Sequence, residues 1–245
     1  MKRFFKLYLI EQRLAFRSCD GIIFGIAMPV GVLMLIAMIA GGKEAGDGYT
    51  YLQASYPSLI AVGVCASAFM GIPLTIADYR DKKILKHFFV TPCSPATLLG
   101  ADVLCNAVTA VLSAVAVTIT AVLVFDYSVE GNILLFILSW SLTLISMFSI
   151  GLMMASVCRT VKAANAVTSA VYFPMLFLSG ATIPFELFPE GLQKVASVLP
   201  LTQGIKLMKE ASMGTNVESA AGIVVLLIAV TVVCSIISVK TFRWE

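Results

Sequence analysis

The chain has 245 residues, of which 59% are hydrophobic and only 13% charged, with a formal net charge of +3. A soluble domain carries roughly a quarter charged residues, so a water-soluble enzyme or binding module is excluded and no nucleic-acid partner is expected. No internal repeat, low-complexity tract or Pro/Gly-rich linker divides the sequence, and a single transmembrane domain over residues 1–245 is the expectation.

Residues 1–20 mix Lys2, Arg3, Lys6, Arg13 and Arg17 with apolar residues, and Leu7, Ile10 and Leu14 follow a three-four spacing. No small-residue cleavage site follows an apolar core, so this is not a signal peptide. The pattern predicts a helix lying in the membrane interface, apolar face in the acyl chains and basic face on anionic head groups. The polar start of the first span is the plainer alternative.

Six apolar runs follow, each near the roughly 20 residues that cross a bilayer. They are Gly21–Ala40, Pro57–Ala77, and then about Thr97–Phe125, Ile133–Val157, Ala163–Ile183 and Ala220–Val239. Backbone groups in lipid must be satisfied within the segment, so these runs are helices, and their Leu-Ile-Ala-Val blocks lack the alternation of barrel strands. The expected fold is an all-α integral membrane protein with six spans.

Between the second and third runs lies Asp78–Pro95, DYRDKKILKHFFVTPCSP. Ile84, Leu85, Phe88 and Phe89 form one helical face beside the charges Asp78, Arg80, Asp81, Lys82, Lys83 and Lys86. Thr91-Pro92 and Ser94-Pro95 stop the helix. Two readings stand: a helix that receives a push from a soluble partner, or a solvated loop whose basic residues only fix topology.

Most of the 17 basic residues fall in the N-terminal segment, this loop, the loop with Arg159 and Lys162, and the C-terminal tail. The Lys/Arg bias places both termini in the cytoplasm, in a plasma or inner membrane, and agrees with an even number of spans. The six cysteines show no CxxC spacing and none lies in an outer loop. With one histidine in the chain, no metal is expected and the thiols read as small hydrophobes.

From Tyr172 to Gly214 the sequence predicts two short helices too short to cross. Pro174 can kink the fifth span and Gly180 can break it. Pro189 opens a helix with Leu192, Val195, Ala196 and Leu199 on one face, and Pro200 ends it. A second piece starts near Leu201, and Gly214 can cap it. The segment 184–214 reads as an outer re-entrant hairpin, or as a loop resting on the head groups.

Asp102 and Asn106 lie one turn apart near the start of the third span. An intramembrane carboxyl is a functional candidate by default, although a structural role is the weightier reading so near the interface. A membrane enzyme would need a nucleophile-base pair or a carboxylate-histidine cluster in the spans. A secondary transporter would show repeats and mid-membrane charges. The sequence has neither pattern.

Two blocks make the chain resemble the membrane subunits of type-2 ABC transporters, the small six-span ABC-2 permeases. Arg80, Asp81, Lys82, Ile84, Leu85, Lys86, Thr91 and Pro92 match the family's cytoplasmic block, with Lys83 where a glycine is usual and His87 where an arginine is frequent. Phe173, Pro174, Leu178, Ser179, Gly180, Pro184, Pro189, Leu199, Pro200 and Leu201 match its span-five and hairpin signature.

The resemblance implies a half-transporter that pairs with a second copy or a paralogue and is driven by separate ATPase subunits. ATP and Mg would belong to those partners, since the chain has no GxxxxGK[ST] loop. Arg80, Asp81, Lys82, Ile84, Leu85, Lys86 and Phe88 would form the coupling helix, and the chain itself would be no enzyme. Phe69, Met70, Tyr172, Phe173, Phe177 and Ser179 would line the path, against the alternative of plain packing residues. The implied cargo is an amphipathic drug, a peptide antibiotic or a lipid-like molecule, moved outward.

Overall fold

The structure is a computed structural model and describes residues 2–17, 23–40, 44–46, 49–84, 95–128, 130–180, 188–214 and 220–242. Helices dominate it, as apolar segments that must close their own backbone hydrogen bonds require. Helix α1 (Lys2–Arg17) precedes a π-helical turn (Ile23–Ala27) that runs into α2 (Met28–Ala40). Strands β1 (Glu44–Gly46) and β2 (Tyr49–Thr50) pair antiparallel, a small departure from the all-helical expectation.

Next come α3 (Tyr51–Ala66), a π-helical segment (Ser67–Gly71) and α4 (Ile72–Asp81), which together form one rod of 31 residues. Helices α5 (Pro95–Phe125), α6 (Ile133–Val157) and α7 (Val161–Leu178) follow. Then come the short α8 (Glu190–Val198) and α9 (Pro200–Met213), and finally α10 (Ala220–Thr241).

Among the described residues, five segments are long and apolar enough to cross a membrane: Tyr51–Asp81, Thr97–Phe125, Ile133–Val157, Val161–Leu178 and Ala220–Thr241. The apolar helix Gly25–Ile39 is shorter. The second expected span starts six residues before Pro57, because Thr50 and Gln53 form a capping box. Thr50 N–H donates to Gln53 Oε1 at 2.8 Å, and Gln53 N–H donates to Thr50 Oγ1 at 3.3 Å. These bonds satisfy donors that a bare helix start leaves open. The fifth expected span ends its helix at Leu178 rather than Ile183, with Gly180 in the left-handed region at φ +79°.

The rod is the centre of the fold. Leu59, Ile60, Val64, Phe69, Ile72 and Ile76 along it are at most 1% exposed. Helix α6 lies against it so closely that a β-carbon on Gly151 would sit 2.3 Å from Ala68 O. Small residues of this kind let membrane helices gain contact where apolar burial alone gives no preference over lipid. Helix α10 packs along α6, and Ser238 Oγ donates to Leu152 O at 3.2 Å. The periphery is inverted relative to a soluble protein: Met38, Leu123 and Val239 are more than three-quarters exposed. Only a hydrocarbon surround suits so many bare apolar side chains.

At the end of the rod where Tyr51 lies, Tyr56 stacks on Phe136 and Tyr127, with ring centroids 5.8 and 4.6 Å away. Helix α9 is fastened there too, since Gly131 N–H donates to Ser212 O at 2.9 Å. Its other half lies deeper. Gly204 faces Thr143, ten residues into α6, a drop of about 15 Å at the helical rise. Leu201, Ile205 and Met208 are buried along that course. Helix α8 differs: of the apolar face expected from Leu192, Val195, Ala196 and Leu199, only Ala196 is buried.

Candidate functional site

The rod ends in two charged residues that hold a different connection. Arg80 Nη1 donates to Ala155 O at 2.5 Å and to Cys158 O at 2.7 Å, the orphan carbonyls at the end of α6. Asp81 Oδ2 accepts from Val161 N–H at 3.0 Å, at the start of α7. A cation on a helix C-terminus and an anion on an N-terminus both match the local dipoles. The Arg80 guanidinium also lies over the Phe242 ring, 4.8 Å from its centroid.

Lys82 pairs with Asp78 at 2.8 Å on the exposed surface. The rod then stops at Lys83, which takes φ +56° while its N–H bonds to Arg80 O. The expected helix over Asp78–Pro95 therefore does not begin at Asp78. Residues 78–81 continue the rod's own hydrogen-bond ladder, and the break falls five residues later than Asp78. Ile84 is half-buried; Leu85, Lys86 and Phe88 lie outside the described residues, as does the rest of segment 85–94.

Beside this end a groove of about 860 Å³ opens between α1, the first π-turn, the rod, α5 and α7. Three carboxyl groups line it: Asp78, paired with Lys82, and two from other helices, Glu11 and Asp102. Asp102 is 4% exposed; Asn106 Nδ2 donates to its Oδ1 at 3.3 Å and to its main-chain oxygen at 3.0 Å. Asp102 Oδ2 is buried without a hydrogen-bond partner among the described residues. Asn106 fits because the rod has no side chain opposite: a β-carbon on Gly71 would meet Asn106 Oδ1 at 1.8 Å.

Glu11 comes from α1 and is 6% exposed, with Tyr79 Oη donating to its Oε2 at 2.5 Å. Burial pushes the Glu11 carboxyl above the usual carboxylate range, and the Tyr79 hydrogen bond offsets this only in part. Sequence reasoning missed both Glu11 and Tyr79. The signal available was that Glu11 is the only acid in an otherwise basic helix.

The residues expected along a path separate into groups. Met70 and Phe173 line the groove with Asp102, Asn106, Lys82 and Ile84. Phe69, Tyr172 and Ser179 are buried, at 0%, 1% and 2% exposure. Ser179 Oγ donates to Leu176 O at 2.9 Å, a helix-end bond. Phe177 is half exposed on the outer face of α7 and does not line the groove.

Comparison with known proteins agrees with this membrane architecture. The family model described as ABC-2 family transporter protein matches residues 39–240. The inner membrane transport permease YhhJ of Escherichia coli K12 is 27% identical over 129 residues, 52% of this chain and 34% of its own length. The chain thus spans about a third of that relative. Nodulation protein J of Neorhizobium galegae is 27% identical over 195 residues, 78% of this chain and 70% of its own. The probable multidrug ABC transporter permease YbhR of E. coli K12 is 23% identical over 154 residues, 63% of this chain and 42% of its own.

Proposed function

We propose a function from one established fact: the chain belongs to the ABC-2 family of transporter proteins. In this reading it is the permease subunit of an ATP-driven exporter. It pairs with a second copy or a paralogue, and separate ATPase subunits hold the ATP and Mg. The single observation that carries the mechanism is the continuous helical rod from Tyr51 to Asp81, its π-helical segment included. A helix buried along its length moves with the core it packs against, so a displacement of segment 82–92 at its end is delivered to the middle of the fold.

The clamp at Arg80 and Asp81 extends that argument. It ties the rod to the α6–α7 connection, so a push at the coupling segment moves three helices together. Residues 21–40 complete six crossings, and the Lys/Arg distribution favours cytoplasmic termini in a plasma or inner membrane. The approach of Gly204 to Thr143 supports a re-entrant course for α8 and α9. An amphipathic drug, peptide antibiotic or lipid-like molecule suits the apolar walls and polar patch of the groove.

Copurification tests the coupling. The chain is expressed with candidate ABC ATPase subunits from its own genome, and Ile84, Leu85 and Phe88 are replaced by Asp. Loss of the ATPase from the purified complex is the expected result. Retained copurification with normal export removes the coupling role from segment 82–92. Cargo movement by the chain alone in liposomes, with no ATPase, overturns the subunit reading itself.

A further inference from the structure

The groove has a chemical character that neither family membership nor coupling explains. Its apolar wall includes Ile26, Met70, Leu74 and Phe173, and its polar side carries Glu11 and Asp102. Asp102 presents a buried carboxyl oxygen that no hydrogen-bond donor among the described residues engages. Glu11 reaches the same cavity from another helix and receives one hydrogen bond, from Tyr79.

Among the described lining residues the one cation is Lys82, whose ammonium already pairs with Asp78 at 2.8 Å. With the Asp78–Lys82 pair set aside, the cavity therefore offers two carboxyl groups and no free positive charge among those residues. A buried acceptor left without a donor is costly, and more so when charged, so a donor-bearing cation is the ligand that gains most there. An anion meets repulsion from both carboxyls. A neutral alkane leaves Asp102 Oδ2 as it is.

We propose that this groove binds an amphipathic primary amine, its ammonium donating to Asp102 with Glu11 as the second carboxyl and its hydrocarbon lying on Met70 and Phe173. The volume, about 860 Å³, suits a ligand of drug size. The shared chemistry is a primary ammonium on an apolar tail, from a soluble amphiphile or from an aminophospholipid head group. The site deepens the cargo proposed above and rests on that reading for its purpose. Binding itself requires this chain alone, so the two fail separately.

The test is equilibrium binding of radiolabelled dodecylammonium to the full chain in phosphatidylcholine nanodiscs, with empty nanodiscs as the baseline. Saturable binding is expected, weakened about tenfold by Asp102→Asn and also weakened by Glu11→Gln. Dodecanol is expected to partition without saturation. Ser169→Trp, on the groove lining, adds bulk to the cavity while leaving both carboxyl residues in place and is expected to abolish binding; it decides the matter should Asp102→Asn fold poorly. Competition by added phosphatidylethanolamine assigns the amine to a lipid head group, and its absence assigns it to a soluble amphiphile; both support the site. No saturable binding by the unmodified chain, or equal binding by a folded Asp102→Asn or Ser169→Trp chain, overturns it.

Discussion

Arg80 and Asp81 are neighbours in the chain, yet they grip opposite sides of one break: Arg80 holds the last carbonyls of α6 and Asp81 the first N–H of α7. The resemblance alone assigned both to an ATPase contact. Their hydrogen bonds give them structural work inside the chain, independent of any partner.

Replacing Arg80 with Met is therefore expected to cost about 2 kcal/mol, the order for losing hydrogen bonds to a charged donor. Asp81→Ala is expected to cost about 1 kcal/mol, as a helix N-terminal acceptor does. Thermal unfolding of the purified chain without an ATPase measures both. Cys158, 4% exposed beside the clamp, is expected to react faster with maleimide in Arg80→Met when the other cysteines are replaced. Unchanged melting and labelling would leave Arg80 to the partner contact alone.

Lys83 terminates the rod in a left-handed conformation, φ +56°. Such a conformation costs a residue with a β-carbon about 1–2 kcal/mol, and glycine almost nothing. Lys83→Gly is expected to raise the thermal midpoint of the purified chain, and Lys83→Val to lower it, because β-branching crowds that region further. A drop with glycine would show that the lysine side chain matters more than the backbone it sits on.

The long helices were legible because hydrophobic runs of spanning length admit almost one structure in lipid. Their ends were not, since ends depend on single capping contacts. Thr50 and Gln53 carried a readable T-x-x-Q signal, but the first apolar residues near Pro57 drew attention past it. Asp78–Asp81 looked like the start of a new helix because charge changes there; hydrogen bonding does not. The groove was half legible. Asp102 and Asn106 stood out as polar residues in a span, while Glu11 was hidden by 68 residues of separation from Tyr79. No periodicity in either segment encodes that meeting.

Glu11 gives the fold a dependence on pH. Its carboxyl titrates above the usual 4.5 in the folded chain because burial disfavours the charge. Between 4.5 and the raised folded value, the folded state binds more protons than the unfolded one. Stability linked to this group is therefore full below about 4.5 and falls as pH rises through that window. Thermal midpoints taken from pH 4.5 to 8 are expected to decline less steeply in Glu11→Gln than in the unmodified chain. Parallel curves would mean that α1 does not hold Glu11 against the groove in the membrane.

Gly204 and Thr143 set how deep α9 sits. A β-carbon on Gly204 would meet Thr143 Oγ1 and Cγ2, both at 2.6 Å. Neither partner can swing away freely, since Thr143 Oγ1 is bonded to Ser139 O at 2.8 Å and Thr143 is fully buried. Gly204→Ala is expected to destabilise the chain by about 1–3 kcal/mol, the usual cost of overpacking. Thr143→Ala removes both clashing atoms and leaves only its β-carbon, 3.1 Å away. The double variant is thus expected to recover much of the loss, a non-additivity that residues without contact do not show. Strict additivity would place α9 away from the middle of α6 and leave α8 and α9 on the membrane surface.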